Sequence, residues 1–311
     1  MKKSVYLLSL CILLAMYSTT SFAQYYYYND NYYYSPILVE AGVSAGAMNS
    51  LTDIGGNKGI GKRFVKDLNL GSTNFCGGIF ISVIYKDAVA LRLEGSFGKV
   101  SANDNVLSKV NPLDIASTRY NRNLSFRSSI SEFSLTAEIQ PLRIFINYEK
   151  RETDPPKLSP YLLAGVGYYT FKPQTNLNGK WVDLQPLSTE GQGFAEYPER
   201  KIYKLSQMNF PVGAGLKYEL NSLLNLRAEF VYRVLSTDYL DDLSTTYIDP
   251  SLYSNYFTGA RLSNALLLND RQISKVTGPG GKRGNPTQKD AFFSFNLKLS
   301  YTLGRQKVKK V

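Results

Sequence analysis

No histidine occurs in the 311 residues, tryptophan occurs once and cysteine twice. Without imidazole the chain can build neither a Ser-His-Asp nor a Cys-His catalytic unit, nor any metal site that requires a His ligand. Beyond the first two dozen positions it also lacks an apolar run of about 18 residues, so no transmembrane helix is expected there. What is present, 43% hydrophobic against 20% charged residues, can bury a core and excludes disorder over the whole chain.

The formal charge of +11 has to be corrected for the start of the chain. Lys2 and Lys3, the apolar stretch Val5 to Tyr17 and the small-residue site Ser21-Phe22-Ala23 have the form of a secretory signal over residues 1–23. Leu10 before Cys11 does not suit lipoprotein processing. Removing the two lysines leaves 34 bases against 25 acids, a net +9, with Cys76 as the remaining thiol and no internal disulfide. Residues 24–35 follow as a tyrosine-rich segment, and residues 304–311 form a basic tail with Arg305, Lys307, Lys309 and Lys310.

Between them, over 36–303, a period of two recurs eight times. Val39, Ala41 and Val43 alternate with Glu40, Gly42 and Ser44, and Ile79, Ile81 and Val83 with Gly78 and Ser82. Leu91 and Leu93 flank Arg92 and Glu94, while Phe133, Leu135 and Ala137 alternate with Glu132, Thr136 and Glu138. Tyr161 to Lys172 is apolar on both sides, so its facing stays ambiguous. Later runs set Val212, Ala214 and Leu216 against Gly213, Gly215 and Lys217, Leu226, Ala228 and Phe230 against Arg227, Glu229 and Arg233, and Phe295, Leu297 and Leu299 against Asn296 and Lys298.

A soluble sandwich would alternate in the same way. The run length of about ten residues suits a tilted membrane strand, and the connections themselves alternate between short and long. The stretches 50–74, 101–123, 173–201 and 236–290 are long, whereas those near 86–88 and 221–222 are turns. The expected fold is an all-β, eight-stranded antiparallel up-and-down transmembrane β-barrel, with long extracellular loops and short periplasmic turns in the outer membrane. The connection 140–159 breaks the rule, and Ile144 to Tyr148 is expected to extend a strand below the membrane. Eight strands enclose an interior about filled by side chains. Arg92, Glu94, Glu132, Glu138, Arg227, Glu229 and Arg233 are therefore expected to form a neutralising charge network in the lumen rather than an acid–base pair.

Other motifs carry little chemistry. Gly56 to Arg63 fits GxxxxGK but ends in Arg where a P-loop needs Ser or Thr, and it reads as a flexible basic loop, as does Gly278 to Gly284. Asp238, Asp241, Asp242 and Asp249 lack the spacing of a calcium loop and are expected to be solvated or to order their loop. Basic segments without interleaved aromatics do not suit nucleic acid. No cofactor, metal, enzymatic activity or small-molecule substrate is expected.

Several junctions resemble the PorG-type outer-membrane barrels of the type IX secretion system. The matching stretches are Arg122-Asn123-Leu124-Ser125-Phe126-Arg127, Pro160 to Gly167, Trp181 to Leu187 with Thr189-Glu190-Gly191-Gln192-Gly193, Thr237-Asp238-Tyr239-Leu240-Asp241-Asp242-Leu243-Ser244, and Arg283-Gly284-Asn285-Pro286. The resemblance runs from about Ile37 to Leu303. It implies a non-enzymatic barrel that contacts outer-membrane lipid and anchors a periplasmic ring of PorK and PorN type. The tyrosine-rich start and basic tail depart from the family pattern.

Overall fold

The computed structural model describes residues 36–56, 69–111, 113–114, 116–145 and 157–303. The signal segment, the tyrosine-rich segment, the basic tail and most of the Gly56 to Arg63 motif lie outside the described residues.

Eight long strands close into an antiparallel barrel: β1 (Ile37–Leu51), β2 (Asn74–Tyr85), β3 (Val89–Asn103), β4 (Ser125–Ile139), β5 (Leu158–Leu177), β7 (Ser206–Glu219), β8 (Leu224–Leu235) and β9 (Ala291–Leu303). A short ninth strand, β6 (Lys180–Asp183), folds back on the projecting end of β5. Each long strand pairs with its sequence neighbour, and β1 with β9 completes the circle. No long strand is left with an edge, so the ladder satisfies the backbone without water, as a membrane span requires.

Alternation puts the apolar set outside. Val43, Ile79, Leu93, Phe133, Leu162, Val212 and Leu297 are all exposed on the outer surface, while the intervening Glu40, Ser82, Arg92, Glu138, Lys217 and Arg227 are buried inside. β5 resolves the same way: Tyr161, Leu163 and Tyr169 point in, Leu162, Val166 and Tyr168 point out.

Lumen glycines make room for large inward rings. A Cβ at Gly42 would lie 2.7 Å from Phe80 Cζ, and one at Gly215 would lie 2.4 Å from Tyr161 Cζ and 2.8 Å from the Ala228 carbonyl. Gly215→Ala is expected to destabilise the barrel by about 1–3 kcal/mol through overpacking, measured as a lower midpoint of thermal unfolding in detergent. An unchanged midpoint would show that Tyr161 swings aside freely.

At one end the turns are tight. Lys86 and Asp87 adopt φ of 50° and 55° to reverse the chain between β2 and β3. Of the strand extension expected at Ile144 to Tyr148, the described residues Ile144 and Phe145 are helical instead. Pro141–Phe145 forms a short helix, α2, with the Arg143 N–H donating to the Gln140 carbonyl at 3.0 Å, and residues 146–156 are outside the described set. The physical reason is Pro141, whose fixed φ and missing N–H suit the first position of a helix and end the ladder after Ile139.

At the other end the long connections fold together as a cap. It holds α1 (Ala116–Arg122), α3 (Tyr253–Tyr256) and α4 (Gly259–Asn269). Leu184, Leu187, Phe194, Leu240, Ile248, Tyr253 and Leu268 bury one another there, in a cluster that continues into the barrel through Phe171, Tyr169 and Phe292. Ring stacking follows this path, from Tyr169 to Phe171 at 5.5 Å, on to Tyr203 at 6.1 Å and to Tyr239 at 4.7 Å.

Candidate functional site

Two buried polar assemblies stand out, one in the lumen and one at the base of the cap. The lumen assembly starts from a placement that looks unfavourable. Lys217, Arg227 and Lys298 occupy directly paired positions on β7, β8 and β9, three like charges side by side. Such a row repels itself unless carboxylates reach it. They do so from both flanks. Glu40 on β1 bridges Lys217 at 2.5 Å and Arg227, and Glu138 on β4 bridges Arg227 at 2.7 Å and Arg92. Glu229 links Arg92 at 2.6 Å to Lys298 at 2.8 Å, and Glu94 contacts Lys298 at 2.5 Å and Arg92 at 3.3 Å.

The result is a belt of four cations and four carboxylates with no net charge. Phe80 and Tyr161 fill the space between the bridges. The Arg92, Arg227 and Lys298 cations lie 5.1–5.9 Å from the Phe80 centroid, and the Tyr161 hydroxyl donates to Glu229 at 2.7 Å. All eight long strands contribute a side chain to this layer.

Of the seven residues expected in the lumen network, five (Arg92, Glu94, Glu138, Arg227 and Glu229) belong to the belt. Glu132 and Arg233 pair with each other at 3.1 Å in a separate layer, where Glu132 also accepts from Asn209 and Ser96 and Arg233 donates to Ser294 at 2.6 Å. Glu40, Lys217 and Lys298 are essential members that the sequence reading left out of the network. Their signal was available, since each stands on the polar phase of its run.

In the cap, the loop motifs converge. Arg122 pairs with Asp104 at 2.9 Å and donates to the carbonyls of Arg283 at 2.9 Å and Asp53 at 2.7 Å. Arg283 pairs with Glu190 at 3.0 Å, and Glu190 accepts the backbone N–H groups of Ser244 at 3.1 Å and Thr245 at 2.9 Å. Asp242 accepts from the Thr189 hydroxyl at 2.6 Å and the Tyr203 hydroxyl at 2.5 Å, and Asp241 accepts the Ile54 N–H at 3.2 Å.

Backbone demands explain the small residues. Gly191 has φ +73°, and a Cβ on Gly284 would lie 2.7 Å from the Ser244 backbone. Asn123 turns the chain at φ 56° and its side-chain amide donates to the Arg271 carbonyl at 3.2 Å. Trp181 stands apart from this knot, on β6, with the Arg127 guanidinium 3.5 Å from its ring centroid.

One expectation narrows to one of its two forms, and another needs correction. Asp241 and Asp242 are not solvated; they are 1% exposed and order the loop from inside. Asp249 keeps the loop-ordering role in milder form, capping a short turn by accepting the Ser251 N–H at 2.9 Å, and Asp238 is half-buried. The segment Gly278 to Gly284 is not a loose basic loop either. Arg283 is buried, and Thr246 bridges Lys282 in a two-residue ladder, because Glu190 and Asp242 need a cation at this point. Among the described residues no acidic or cysteine cluster has the arrangement of a metal site.

Burial pushes the Asp242 carboxyl up to about 7, against the pull of Arg283, and burial, helped by Asp53 and Glu190 against the pull of Ser244, raises Asp238 to about 7 as well. In the unfolded chain both would titrate near 4. The folded cap thus binds more protons than the unfolded chain between these values, so its stability is full below about 4 and falls as pH rises toward 7. Cleavage within residues 236–290 by a protease active at both values is expected to be slower at pH 5 than at pH 8. Equal rates, after correction for the protease's own pH profile, would contradict the shifts.

These features define the class: a closed eight-stranded transmembrane β-barrel with a lipid-type outer surface, a filled charged lumen and a packed cap at its long-loop end. No protein-family model and no curated protein matches the chain. Solved structures that it is similar to include the N-terminal β-barrel domain of Pseudomonas aeruginosa OprF, at 11% identity and a TM-score of 0.33 over 85% of this chain and 97% of that one. A major outer membrane protein from Thermus thermophilus aligns at 10% identity and a TM-score of 0.37 over 86% of this chain and all of that one. Neisserial surface protein A aligns at 10% identity and a TM-score of 0.35, over 86% and 97%.

Proposed function

We propose that this chain is a non-enzymatic, non-conducting barrel of the outer membrane that serves as a membrane anchor for the periplasmic ring of a type IX secretion system, with PorK- and PorN-type proteins as its partners. The observation that carries the anchoring role is the filled lumen. A barrel whose interior is crossed by eight ion-paired side chains and two aromatic rings offers no water path for solutes, so its value to the cell lies in what it holds. The particular partner is supported by the loop stretches that resemble the PorG-type family. Arg122, Glu190, Asp242, Arg283 and Gly284, drawn from three different connections, meet in one knot. In this orientation the short-turn end, with Lys86, Asp87 and α2, faces the periplasm and the ring.

Photo-crosslinkers placed at Lys86 and the exposed Phe145 in living cells are expected to capture the ring proteins, and deletion of the gene is expected to abolish export of type IX cargo. Normal export in the deletion strain would sink the reading. A small transport barrel is the other reading. Stepwise single-channel currents from the purified protein in a planar bilayer would favour it, whereas the filled lumen predicts a silent trace.

A further inference from the structure

The outward faces of the eight long strands are almost free of charge. Their charged residues are Lys99 on β3, Arg127 on β4 and Lys172 on β5, all cations and all at the cap ends of three neighbouring strands. The outward positions of β1, β2, β7, β8 and β9 carry none. Cations that merely marked the rim of the apolar band would be spread around the barrel, whereas these share one sector.

Register sorts that sector into rows. Phe133, Tyr168 and Met208 are directly paired across β4, β5 and β7, and all three are exposed. Two residues further along each strand, about 6.8 Å toward the cap, Phe97, Ser131, Thr170 and Ser206 form the next row. One more such step brings Lys99, Ser129 and Lys172 side by side. The Phe171 N–H donates to the Leu205 carbonyl at 2.9 Å, which carries the ladder one pair past Ser206 and sets the exposed Lys204 beside Lys172. Within two steps the wall passes from apolar groups through hydroxyls to cations. An anionic lipid has the same order from its chains outward: hydrocarbon, then a polar linkage, then phosphate.

Little on the wall offsets the positive charge. Asp183 meets Lys172 at 2.9 Å, and Lys99 and Lys204 make no ion pair with any described residue. Arg127 is held in place next to this row, donating to Gln174 at 3.2 Å and lying over the ring of Trp181. Trp181 is itself exposed, and tryptophan is a residue type that settles at the head-group level. The backbones of Lys99 and Lys172 are two strand spacings apart, about 9.6 Å, so their long side chains can reach one head group together.

We infer that this sector seats a phosphorylated glycolipid of the outer leaflet, with its acyl chains along Phe133, Tyr168 and Met208 and its phosphates on Lys99, Lys172 and Lys204. The inference uses the orientation that places the cap outside the cell and is independent of the ring-anchoring role.

Native mass spectrometry of the full chain, titrated in neutral detergent, tests it with diphosphoryl lipid A and with phosphatidylcholine, whose phosphate is already balanced within its own head group. Lipid A is expected to bind saturably and at least about tenfold more tightly than phosphatidylcholine, as contacts between cations and an unbalanced phosphate imply. K99Q with K172Q should weaken lipid A binding about thirtyfold, the product of roughly fivefold for each cation near an anionic surface. Lys204→Gln alone should cost about fivefold on the same basis. Lys86→Gln removes the same charge from the short-turn end and should leave lipid A binding unchanged. All four lysines are exposed, so each variant is expected to keep the compact, heat-resistant form on a gel. Lipid A held no more tightly than phosphatidylcholine overturns the inference. So does lipid A binding that is intact in K99Q with K172Q, or that Lys86→Gln weakens as much as the pair does, which would assign the attraction to overall charge.

Discussion

Arg227→Ala is expected to cost the barrel about 3–5 kcal/mol, the toll of leaving a buried ionic partner uncompensated. Arg227 is fully buried and holds two carboxylates at once, Glu40 and Glu138. Removing it strands part of that negative charge in an interior without bulk water to solvate it: Glu40 keeps Lys217, and Glu138 keeps Arg92, which Glu94 and Glu229 already share. The measurement is the temperature at which the compact, detergent-resistant form disappears from an unheated gel. A charge-balanced double change, Arg227→Met with Glu138→Gln, deletes one cation and one anion and leaves Lys217 on Glu40 and Arg92 on Glu229. It is expected to recover most of the loss, since replacing a buried pair by groups of similar volume is often neutral. An Arg227→Ala barrel as heat-resistant as the parent would mean that water already reaches the belt.

The second large effect belongs to the cap. Arg283→Ala takes the ion-pair partner from the Glu190 carboxylate, which is 0% exposed and already accepts two backbone N–H groups and the Thr245 hydroxyl. The expected cost is again about 3–5 kcal/mol, but it falls locally, because the knot joins loops and not strands. Opening of the cap should therefore become more frequent by roughly a hundredfold or more while the barrel persists. Limited trypsin digestion reads this directly, as faster cleavage within 184–205 and 236–290 with the folded barrel band unchanged. If the whole protein unfolds together, cap and barrel form one cooperative unit through the Phe171 and Phe292 rings. If cleavage does not change, the knot is not what holds the cap.

Much of the barrel could be read from the sequence because a period of two is local: each residue's face is set by its neighbours two away. β5 resisted that reading since both its faces are apolar, and only the pairing of Leu162 with Ile139 and Gly215 with Tyr161 decides which side is inside. The belt was legible as a set of charges but not as a circuit. Which carboxylate meets which cation depends on register across strands far apart in sequence, as for Glu40 with Lys217. Least legible was the cap. Arg122, Glu190, Asp242 and Arg283 could be singled out as motif residues, yet nothing in their local spacing shows that they bury one another. The aspartates after β8 look like a solvated acidic turn until Arg283 and Tyr203 are placed beside them.

Alternation has a blind spot that the belt removes. A strand displaced by one residue turns its apolar side chains into the lumen and is rejected at once, but a displacement by two leaves every residue on its proper face. Hydrophobicity cannot tell that misassembled form from the native one. The ionic layer can, because a two-residue displacement moves a side chain by about 6.8 Å along the strand and separates Lys298 from Glu94 and Glu229, or Glu40 from Lys217 and Arg227. The circuit in the lumen thus acts as a proofreading code for strand alignment, written across the whole circumference and checked only when the last strand closes on the first.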